Sequence, residues 1–496
     1  MKTPIRSGAK LAALALALVA PVSLTPQPGS AQDAKEQMAR FIDANATRYA
    51  QVAQDIWELA EVGYMEHESS EILQAMLRDA GFTVESGVAG IPTAFVAEWG
   101  NGGPVIGILG EFDALPGINQ SRSPERDPIP GKVAGHACGH HLFGTGSAAA
   151  GIAVKEWLES SGESGTIRVY GTPAEEGGAG KVYMVRAGLF DDVDAVLHWH
   201  AGAQNSADAS SSLANKSAKF RFYGQSAHAA AAPWRGRSAL DGVEAMNDMV
   251  NMLREHVTPA SRIHYVITFG GSAPNVIPDF AEVYYYVRHP DPNEVRAMFE
   301  RVVKTAEGAA LGTDTRMEYE VIHGIYNLLP NEALGRVMHA NLSAVGGVPY
   351  TTEERAFAEV IQKSFPAGVD GIDTAMEVKP FEVHEVGAGG STDVGDVSWQ
   401  VPTTGLTTAT WVPGTSAHSW QAVAAGGTEI GTKGMVNAAK TLAFSAYDLF
   451  THPDMLSAAR AEFERRRGPD YVYEPLLGDR DPPLDYRASV VGGGGR

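Results

Sequence analysis

The sequence predicts an α/β domain with a central, mostly parallel sheet, interrupted by a smaller, inserted ferredoxin-like α+β domain. Three observations support this fold class. Over about the first 200 residues, short β-rich runs alternate with helical patterns, as expected of a sheet covered by helices. From about residue 214 the order becomes β-α-β-β-α-β, which is that of the ferredoxin-like unit. With 496 residues, of which 44% are hydrophobic and 20% charged, the chain is long enough for two globular domains.

The elements of the larger domain follow from hydrophobic periodicity. Between residues 33 and 80, apolar side chains recur at helical spacing, and Gly81 ends the pattern. Further along, a helix is expected at residues 142–158, with strands at residues 93–99, 105–110, 166–172 and 193–200. The domain resumes after the insertion with a strand at residues 403–411 and a helix at residues 433–449. Because ligands of such sheets bind at the carboxyl ends of the strands, polar motifs that follow strands are the first candidates for a site.

The inserted domain begins where this pattern changes. Its predicted elements, in order, are a strand at residues 217–223, a helix at 238–256, strands at 262–269 and 280–288, a helix at 292–311 and a strand at 316–322. The chain is therefore divided into residues 32–213 and 326–454 for the two parts of the larger domain, 214–325 for the insertion, and 455–496 for a C-terminal tail. The tail is rich in Arg, Pro and Gly, which indicates a peripheral segment.

The first 31 residues have the pattern of a secretory signal peptide. Lys2, Arg6 and Lys10 form a basic start, and the apolar run at residues 11–24 is too short to span a bilayer. Small residues at 29–31 then offer a cleavage site. We therefore exclude residues 1–31 from the fold and expect an exported protein, periplasmic or secreted. Because no second long apolar run follows, we expect no membrane span in the mature chain.

The charge of the chain argues against nucleic acid as a partner. Its formal net charge is -20 at pH 7, and its pI is about 5.2. A nucleic-acid-binding protein needs a basic face. The concentrated basic stretch at residues 465–467 is interpreted as a solvated helix end.

The first motif with chemistry is the segment from His136 to His141, which contains the single cysteine of the chain, Cys138. Cysteine thiolate and neutral imidazole are both good ligands for zinc and similar metals. Cys138 and His140 are two residues apart, so an extended turn would place both side chains on one side. Taken alone, the segment is equally compatible with a metal site and with a buried thiol beside satisfied histidines. His136 and His141 could simply cap a helix or pack.

Three further motifs lie at or after predicted strands. Glu175 and Glu176 are adjacent, so one could coordinate a metal while its neighbour faces a substrate as general base. Two acids in a loop are usually only solvated, but an apolar strand precedes this pair and glycines follow it. His198 and His200 end a strand on one face, whereas His418 lies in a loop. A lone histidine is more often structural than a ligand, but together these groups suit a two-metal hydrolytic site.

The motifs of the chain occur in an order that resembles a known family. They comprise segments 110–116, 135–141, 173–177, 226–228, 274–278, 390–393 and 417–419. This order resembles the co-catalytic metallohydrolases, which include aminoacylases, glutamate carboxypeptidase and plant auxin-conjugate hydrolases. The resemblance runs from about residue 35 to residue 450. It implies a two-metal amidohydrolase that cleaves N-acyl or N-aroyl amino acids, such as aminobenzoyl-glutamate.

The resemblance also implies a role for each site residue. Two divalent ions, zinc or manganese, would be held by Cys138, His140, Glu176, His200 and His418. Cys138 would bridge both ions, Glu175 would be the general base, and Asp113 would orient a ligand without touching the metal.

By the same resemblance, the inserted domain would mediate dimerisation and act as a lid. His228 would reach the active site of the partner subunit and stabilise the oxyanion, while Asn275 and Arg288 would hold the substrate carboxylate. The chain departs from many relatives at His141, where they have Asp or Asn.

Two other functions remain open at this stage. One is a dipeptidase or carboxypeptidase of the same family. Release of amino acids from acylated rather than peptide substrates would distinguish the amidohydrolase from this alternative. The other is a non-catalytic, metal-dependent binding protein, which the presence of Glu175 disfavours.

Overall fold

The structure is a computed structural model that describes residues 1–4, 31–387 and 389–488. Most of the expected signal peptide at residues 1–31 lies outside the described residues. In the described part of the chain, the strands are β1 (Thr83–Ser86), β2 (Phe95–Asn101), β3 (Val105–Gly110), β4 (Leu115–Pro116), β5 (Ala134–Gly135), β6 (Gly165–Gly171), β7 (Ala195–Gly202), β8 (Ala209–Ser210), β9 (Ala214–Tyr223), β10 (Arg262–Phe269), β11 (Phe280–His289), β12 (Arg316–Ile325), β13 (Val383–His384) and β14 (Thr403–Ala409). The helices are α1 (Ala31–Leu59), α2 (His67–Asp79), α3 (His140–Ser161), α4 (Gly180–Arg186), α5 (Ala239–Leu253), α6 (Pro292–Thr313), α7 (Glu332–Val345), α8 (Thr352–Gln362), α9 (Val394–Ser398), α10 (Trp420–Gly426), α11 (Glu429–Thr451) and α12 (Pro453–Arg467).

The larger domain is built on a mixed central sheet with the strand order β1-β2-β6-β3-β7-β14. Strands β6, β3, β7 and β14 run parallel to one another, whereas β2 runs antiparallel to both of its neighbours. The parallel core agrees with the sequence-based prediction. The antiparallel β2 follows β1 directly through a short connection, so it needs no crossover helix.

Helices cover both faces of this sheet. Ile106 and Ile108 of β3 are buried in the core formed with α1, α3 and α11, while Leu109 is buried in a second core on the opposite face. Successive side chains of a strand point to opposite faces, so a strand covered on both sides must be apolar on both. This arrangement leaves the carboxyl ends of the strands as the open edge where polar side chains can gather.

The inserted domain has an antiparallel sheet with the strand order β10-β11-β9-β12. Its elements follow one another as β-α-β-β-α-β, with α5 between β9 and β10 and α6 between β11 and β12. Phe220 and Phe222 of β9 alternate onto the buried face and pack with Val283 and Tyr285 of β11. Strand β10 lies at one edge of this sheet and is hydrogen-bonded on one side only.

The segment after residue 455 differs from the expected peripheral tail. Helix α12 is followed by a stretch that packs against both domains: Leu476 is buried in the core of the inserted domain and Leu477 in a core of the larger one. Tyr473 Oη donates a hydrogen bond to Asp396 Oδ1 at 2.6 Å. The few apolar and aromatic residues that anchor this segment are interspersed among charged ones, so its composition alone suggested solvent exposure.

The helices of residues 1–4, 31–387 and 389–488 include no candidate membrane span. None of these helices combines the length and the apolar character needed to cross a bilayer.

Candidate active site

Polar side chains gather at the carboxyl ends of the parallel strands. Glu111 and Asp113 follow β3, the pair Glu175 and Glu176 follows β6, and His200 lies near the end of β7. These strands are neighbours in the sheet and run in the same direction. Their ends therefore meet at one edge, where the sequence analysis expected a ligand to bind.

Two strained turns aim the loop residues at this edge. Gly139, with a φ of 77°, immediately precedes helix α3, and a Cβ there would collide with Ala201. Ala174 has a φ of 58° and donates its backbone N–H to Glu66 Oε1 at 2.9 Å. A positive φ at a non-glycine residue is uncommon and requires support from its surroundings. The buried Glu66 carboxyl supports Ala174 in this way, and Ala174 directly precedes Glu175.

The first group of potential metal ligands comprises Cys138, His140 and His200, whose donor atoms all lie within 4.8 Å of one another. Cys138 Sγ is 3.4 Å from His200 Nε2. His200 Nδ1 is 2.7 Å from the carbonyl oxygen of Ala201, and His140 Nδ1 is 2.9 Å from Asp113 Oδ1. Because these oxygens accept, each Nδ1 carries a hydrogen, and Nε2 is the atom through which each ring would bind a metal.

The second group comprises Cys138, Glu176 and His418, again within 4.8 Å of one another. His418 Nε2 is 3.2 Å from Glu176 Oε1. The backbone of His418 has a φ of 60°, and its N–H donates to the carbonyl oxygen of Ala137 at 2.9 Å. The same thiol therefore belongs to both groups, although 280 residues of chain separate it from His418.

The donor atoms of these groups fit a cation. His140 Nε2 and Glu176 Oε1 are buried and form no hydrogen bond of good geometry within the described residues, although Glu111 Oε2 lies 3.1 Å from the first atom and His418 Nε2 lies 3.2 Å from the second. Burial and the nearby Glu176 carboxylate raise the pKa of the Cys138 thiol well above its usual range. A divalent ion would satisfy these atoms and compensate a thiolate, and thiolate, imidazole and carboxylate are the ligand types that zinc prefers.

A third group, Glu111 with His140 and Glu175, was not anticipated as a unit. Glu111 Oε2 lies 3.1 Å from His140 Nε2, and its Oε1 accepts from Lys181 Nζ at 2.6 Å. Lys181 also donates to Asp393 Oδ1 at 2.7 Å, and all three of these charged side chains are buried. Glu111 and Asp393 lie within motifs of the family resemblance, but no separate role was predicted for them. Lys181 was not predicted at all, because a lysine in the first turn of a helix resembles an ordinary surface residue.

Glu175 occupies the wall of the cavity beside these groups. Burial, which removes Glu175 from bulk water, is the main reason why its pKa lies well above the usual range. The neighbouring Glu111 and Glu176 carboxylates raise this pKa further. Two opposing effects act on the pKa of Lys181. Burial lowers this pKa by disfavouring the ammonium, but the Asp393 and Glu111 carboxylates outweigh burial and raise it. The side chain of Glu175 is therefore placed to accept and release a proton at the edge of the potential metal site.

The remaining histidines of the first motif serve the fold. His136 and His141 lie with their rings 4.8 Å apart, and their Nε2 atoms contact the carbonyl oxygens of Ile56 and Gly426 at 3.1 and 3.0 Å. Neither belongs to any of the three ligand groups found among the described residues. His198 also lies outside these groups, although it lines the same cavity as His200.

The cavity over these ligand groups has a volume of about 740 Å³. The larger domain contributes the metal-binding candidates, and the inserted domain contributes Tyr286, Arg288 and His323. The guanidinium of Arg288 lies 5.2 Å from the ring centre of Tyr286, and its buried Nε has no hydrogen-bond partner in the described part of the chain. Arg487, from the C-terminal segment, lines the cavity as well.

Comparison with known proteins identifies the family. The profile described as Peptidase family M20/M25/M40 matches residues 107–422, which is more than half of the chain. The chain belongs to this family. Membership, together with the relatives described next, identifies it as a metal-dependent amidohydrolase.

Two curated relatives match this M20 family member over nearly their whole length. One of the p-aminobenzoyl-glutamate hydrolase subunits of Escherichia coli is 42% identical over 460 residues, which is 87% of this chain and 95% of the relative. A mouse protein, Xaa-Arg dipeptidase, is 30% identical over 459 residues, which is 88% of this chain and 95% of the relative. Among solved structures, a dinuclear metal-binding peptidase of the same family from Bacillus subtilis has a TM-score of 0.54 at 17% identity, with 82% of this chain and 99% of that one covered.

Two predicted site residues of this M20 chain lie away from the cavity. His228 is exposed, and its Nδ1 accepts from the backbone N–H groups of Ala230 and Ala231 at 3.2 and 3.1 Å. Asn275 lies beside it, since the Asn275 carbonyl accepts from the N–H of Ala229 at 3.0 Å. Neither residue lines the cavity. Within one chain the fold therefore brings Arg288, but not His228 or Asn275, to the candidate ligand groups.

Proposed function

We propose that the protein is a two-metal hydrolase that cleaves the amide bond of N-acyl or N-aroyl amino acids, with aminobenzoyl-glutamate as the first candidate substrate. The observation that carries this proposal is the sharing of Cys138 by two ligand triads. One triad adds His140 and His200, and the other adds Glu176 and His418. The names of the E. coli and B. subtilis relatives, an aroyl-glutamate hydrolase and a dinuclear metal-binding peptidase, support the substrate and the number of ions. Zinc or manganese suits these ligand types.

The residues around the triads can carry the proton transfers. Divalent ions bound there would lower the pKa of a water molecule and polarise the amide carbonyl. Glu175 takes the proton of the attacking water and delivers it to the amide nitrogen, so that the C–N bond breaks after the C–O bond has formed. Asp113 accepts from His140 Nδ1 and so orients the ring with Nε2 toward the metal position. Arg288 pairs with the substrate carboxylate, since its buried Nε has no hydrogen-bond partner among the described residues and a guanidinium matches a carboxylate.

We also propose that two copies of the chain form a dimer through the inserted domain. The edge strand β10 exposes Tyr265, Val266, Ile267 and Phe269, and Met252 of the adjacent helix is 66% exposed. An exposed, apolar edge strand readily pairs with another strand, and a second copy would bury this one. The partner's His228 and the partner's Asn275 would then be available to the cavity that they do not reach within their own chain.

Export remains part of the proposal and rests on the pattern of residues 1–31. Fractionation of cells that express the full chain, or a chain without these residues, tests it. Only the full chain should reach the periplasm or the medium.

The experiment that tests the function combines substrate and metal measurements. The protein, reconstituted with zinc or manganese, is assayed on a panel of N-aroyl and N-acyl amino acids together with dipeptides that include Xaa-Arg substrates. We expect acylated amino acids to be cleaved faster. Faster cleavage of dipeptides would instead support the dipeptidase alternative, which the mouse relative represents. Because the E. coli relative is named as one subunit of its enzyme, the assay is repeated with added lysate of the source organism.

Cys138→Ser provides the matching test of the metal centre. A hydroxyl is a weaker ligand than a thiolate, and Cys138 belongs to both triads, so the variant should lose metal from both positions and lose activity. Metal content is measured by elemental analysis. His141→Gln is the control, because His141 is buried next to the site but belongs to neither triad. Full metal content in Cys138→Ser would refute the shared-ligand assignment.

A further inference from the structure

The C-terminal segment, defined here as residues 468–488, follows the boundary between the two domains toward the cavity. Arg186 donates to the backbone oxygens of Arg480 and Asp479 at 2.7 and 3.2 Å, and Arg480 Nη2 contacts Glu320 of β12 at 3.3 Å. The buried Leu477 anchors the segment between these contacts. The segment is therefore tied to both domains before it reaches the site.

The segment ends against the loop that carries the paired glutamates. Tyr486 Oη and Arg487 Nη2 both donate to the backbone oxygen of Glu176, at 3.3 and 2.7 Å. The absence of a side chain at Gly63 leaves room for this contact, because a Cβ there would collide with the Tyr486 hydroxyl. The ring of Tyr486 also meets the ring of Tyr64 edge to face, with centroids 5.7 Å apart. The docking is thus a packed contact rather than a loose end.

This docking places a second guanidinium in the cavity. Arg487 and Arg288 both line it, one from the C-terminal segment and one from β11 of the inserted domain. Among the described residues neither forms an ion pair, in contrast to Arg168, which contacts both Glu98 and Asp192 at 2.5 Å. Arg487 spends one N–H on Glu176 and has others left to donate.

Two guanidiniums that line one cavity and form no ion pair among the described residues favour a ligand with two anionic groups. A guanidinium matches a carboxylate in bidentate fashion, and a buried or half-buried cation without a counter-ion is costly until its ligand arrives. A monocarboxylic amino acid would satisfy only one of the two. Glutamate and aspartate carry the second carboxylate on a short side chain.

We propose that Arg487 binds the side-chain carboxylate of the amino acid released by hydrolysis, while Arg288 binds its α-carboxylate. The substrates are therefore N-acylated dicarboxylic amino acids. This inference rests on the proposed function and adds to it a specificity-determining residue that the C-terminal segment supplies.

The test compares N-benzoyl-glutamate with N-benzoyl-glutamine, which has nearly the same shape but a neutral side chain. The wild-type protein should prefer the glutamate substrate in kcat/KM. Arg487→Gln keeps a donor for the Glu176 carbonyl but removes the charge. It should lower that preference by about 10- to 100-fold, mainly through KM, as expected for a hydrogen bond to a charged group. Hydrolysis of the glutamine substrate should fall much less than hydrolysis of the glutamate substrate, because its neutral side chain forms no charge pair with Arg487.

Arg480→Gln is the matched control, because Arg480 lies in the same segment and contacts Glu320 outside the cavity. It should leave the preference unchanged. If Arg487→Gln slows both substrates equally, Arg487 only holds the Glu176 loop and the proposal is wrong. The same conclusion follows if the wild-type protein cleaves both substrates equally well.

A binding measurement separates this inference from the proposed function. If the wild-type protein cleaves no acylated amino acid, the proposed function fails. Calorimetry with free glutamate and free glutamine, on the zinc-loaded protein, still tests Arg487. Tighter binding of glutamate by the wild-type protein, lost in Arg487→Gln and kept in Arg480→Gln, supports the proposal. Equal binding of the two amino acids by the wild-type protein would contradict it.

Discussion

At the scale of single residues, neighbouring side chains of the same chemical type have different surroundings. Glu175 and Glu176 are adjacent, but Glu176 faces His418 at 3.2 Å, whereas Glu175 groups with Glu111 and His140. The sequence analysis anticipated this division, because adjacent carboxylates in a loop point in different directions. It could not anticipate the partners of Glu175, which depend on Glu111 being buried against Lys181.

We expect the two glutamates to separate on mutation. Glu175→Gln keeps the shape but removes the base, so metal content should stay constant while kcat falls by about 10²-fold or more. Glu176→Gln should lose metal, because the neutral amide is a poorer ligand than the carboxylate. Elemental analysis and steady-state kinetics on both variants measure these effects. Near-normal turnover in Glu175→Gln would reject its assignment as the base.

The candidate metal ligands show what local sequence patterns can nominate. Cys138 and His140 are two residues apart, and His200 ends a strand, so local spacing was enough to nominate them. Asp113 was nominated through family resemblance, and its carboxylate does contact His140 Nδ1 at 2.9 Å. Lys181 was missed because only the folded chain shows that two buried carboxylates, on Glu111 and Asp393, surround it.

At the scale of elements, a buried carboxyl of the larger domain holds the C-terminal segment. Asp396 Oδ2 accepts from the backbone N–H of Tyr326 at 2.9 Å, and Oδ1 accepts from Tyr473 Oη at 2.6 Å. Burial raises the pKa of Asp396 to about 7, and the Tyr473 hydrogen bond opposes this only in part. This carboxyl therefore carries a proton in the folded protein at pH values where an unfolded chain would have lost it.

The pH dependence of stability follows from this shift. The folded protein binds the proton more tightly than the unfolded chain does, so the stabilisation is complete below the ordinary carboxyl pKa. It is lost progressively as pH rises from about 4 through about 7. Asp396→Asn cannot ionise, so its free energy of unfolding should fall less between pH 5 and pH 8 than that of the wild-type protein.

Denaturant unfolding of both proteins at the two pH values measures how much each free energy of unfolding changes with pH. Subtracting one change from the other cancels the titration of the groups that both proteins share. Tyr473→Phe serves as the control for loss of the hydrogen bond without loss of the carboxyl. Parallel pH profiles for the wild-type protein and Asp396→Asn would show that Asp396 does not titrate in this range.

The predictability of the elements depended on their length and their pattern. Strand β3 was predicted at residues 105–110 and found at Val105–Gly110, because its apolar run is continuous. The edge strand Thr83–Ser86 was not predicted, since its four residues are mostly exposed and show no alternation. The docking of the segment after residue 468 could not be predicted either. Its hydrogen bond between Arg487 and Glu176 joins residues 311 positions apart, which local periodicity does not encode.

At the scale of the whole molecule, the position of His228 leads to a test of the proposed dimer. His228 is exposed in the inserted domain and lines no part of its own chain's cavity. In a two-fold dimer, each site would combine Glu175 of one chain with His228 of the other. Glu175→Gln and His228→Ala should each be nearly inactive as homodimers.

Mixing these two variants tests the arrangement. A mixed dimer has one site with both substitutions and one site with neither. Random exchange makes about half of the dimers mixed, so about a quarter of wild-type activity should return. Subunit exchange is verified independently with two affinity tags. If exchange occurs and activity does not return, His228 does not act in the neighbouring site.

The docking of Arg487 on the Glu176 loop also has a kinetic meaning. Contacts between residues 311 positions apart carry a higher loop-closure entropy than local contacts do, so we expect them to form late in folding. Of the five triad ligands, Cys138, His140, Glu176 and His200 lie within a span of 63 residues, whereas His418 is supplied by a distant part of the chain. The triad of Cys138, His140 and His200 can therefore assemble from nearby sequence, whereas the second triad and the selectivity proposed for Arg487 each depend on a distant part of the chain.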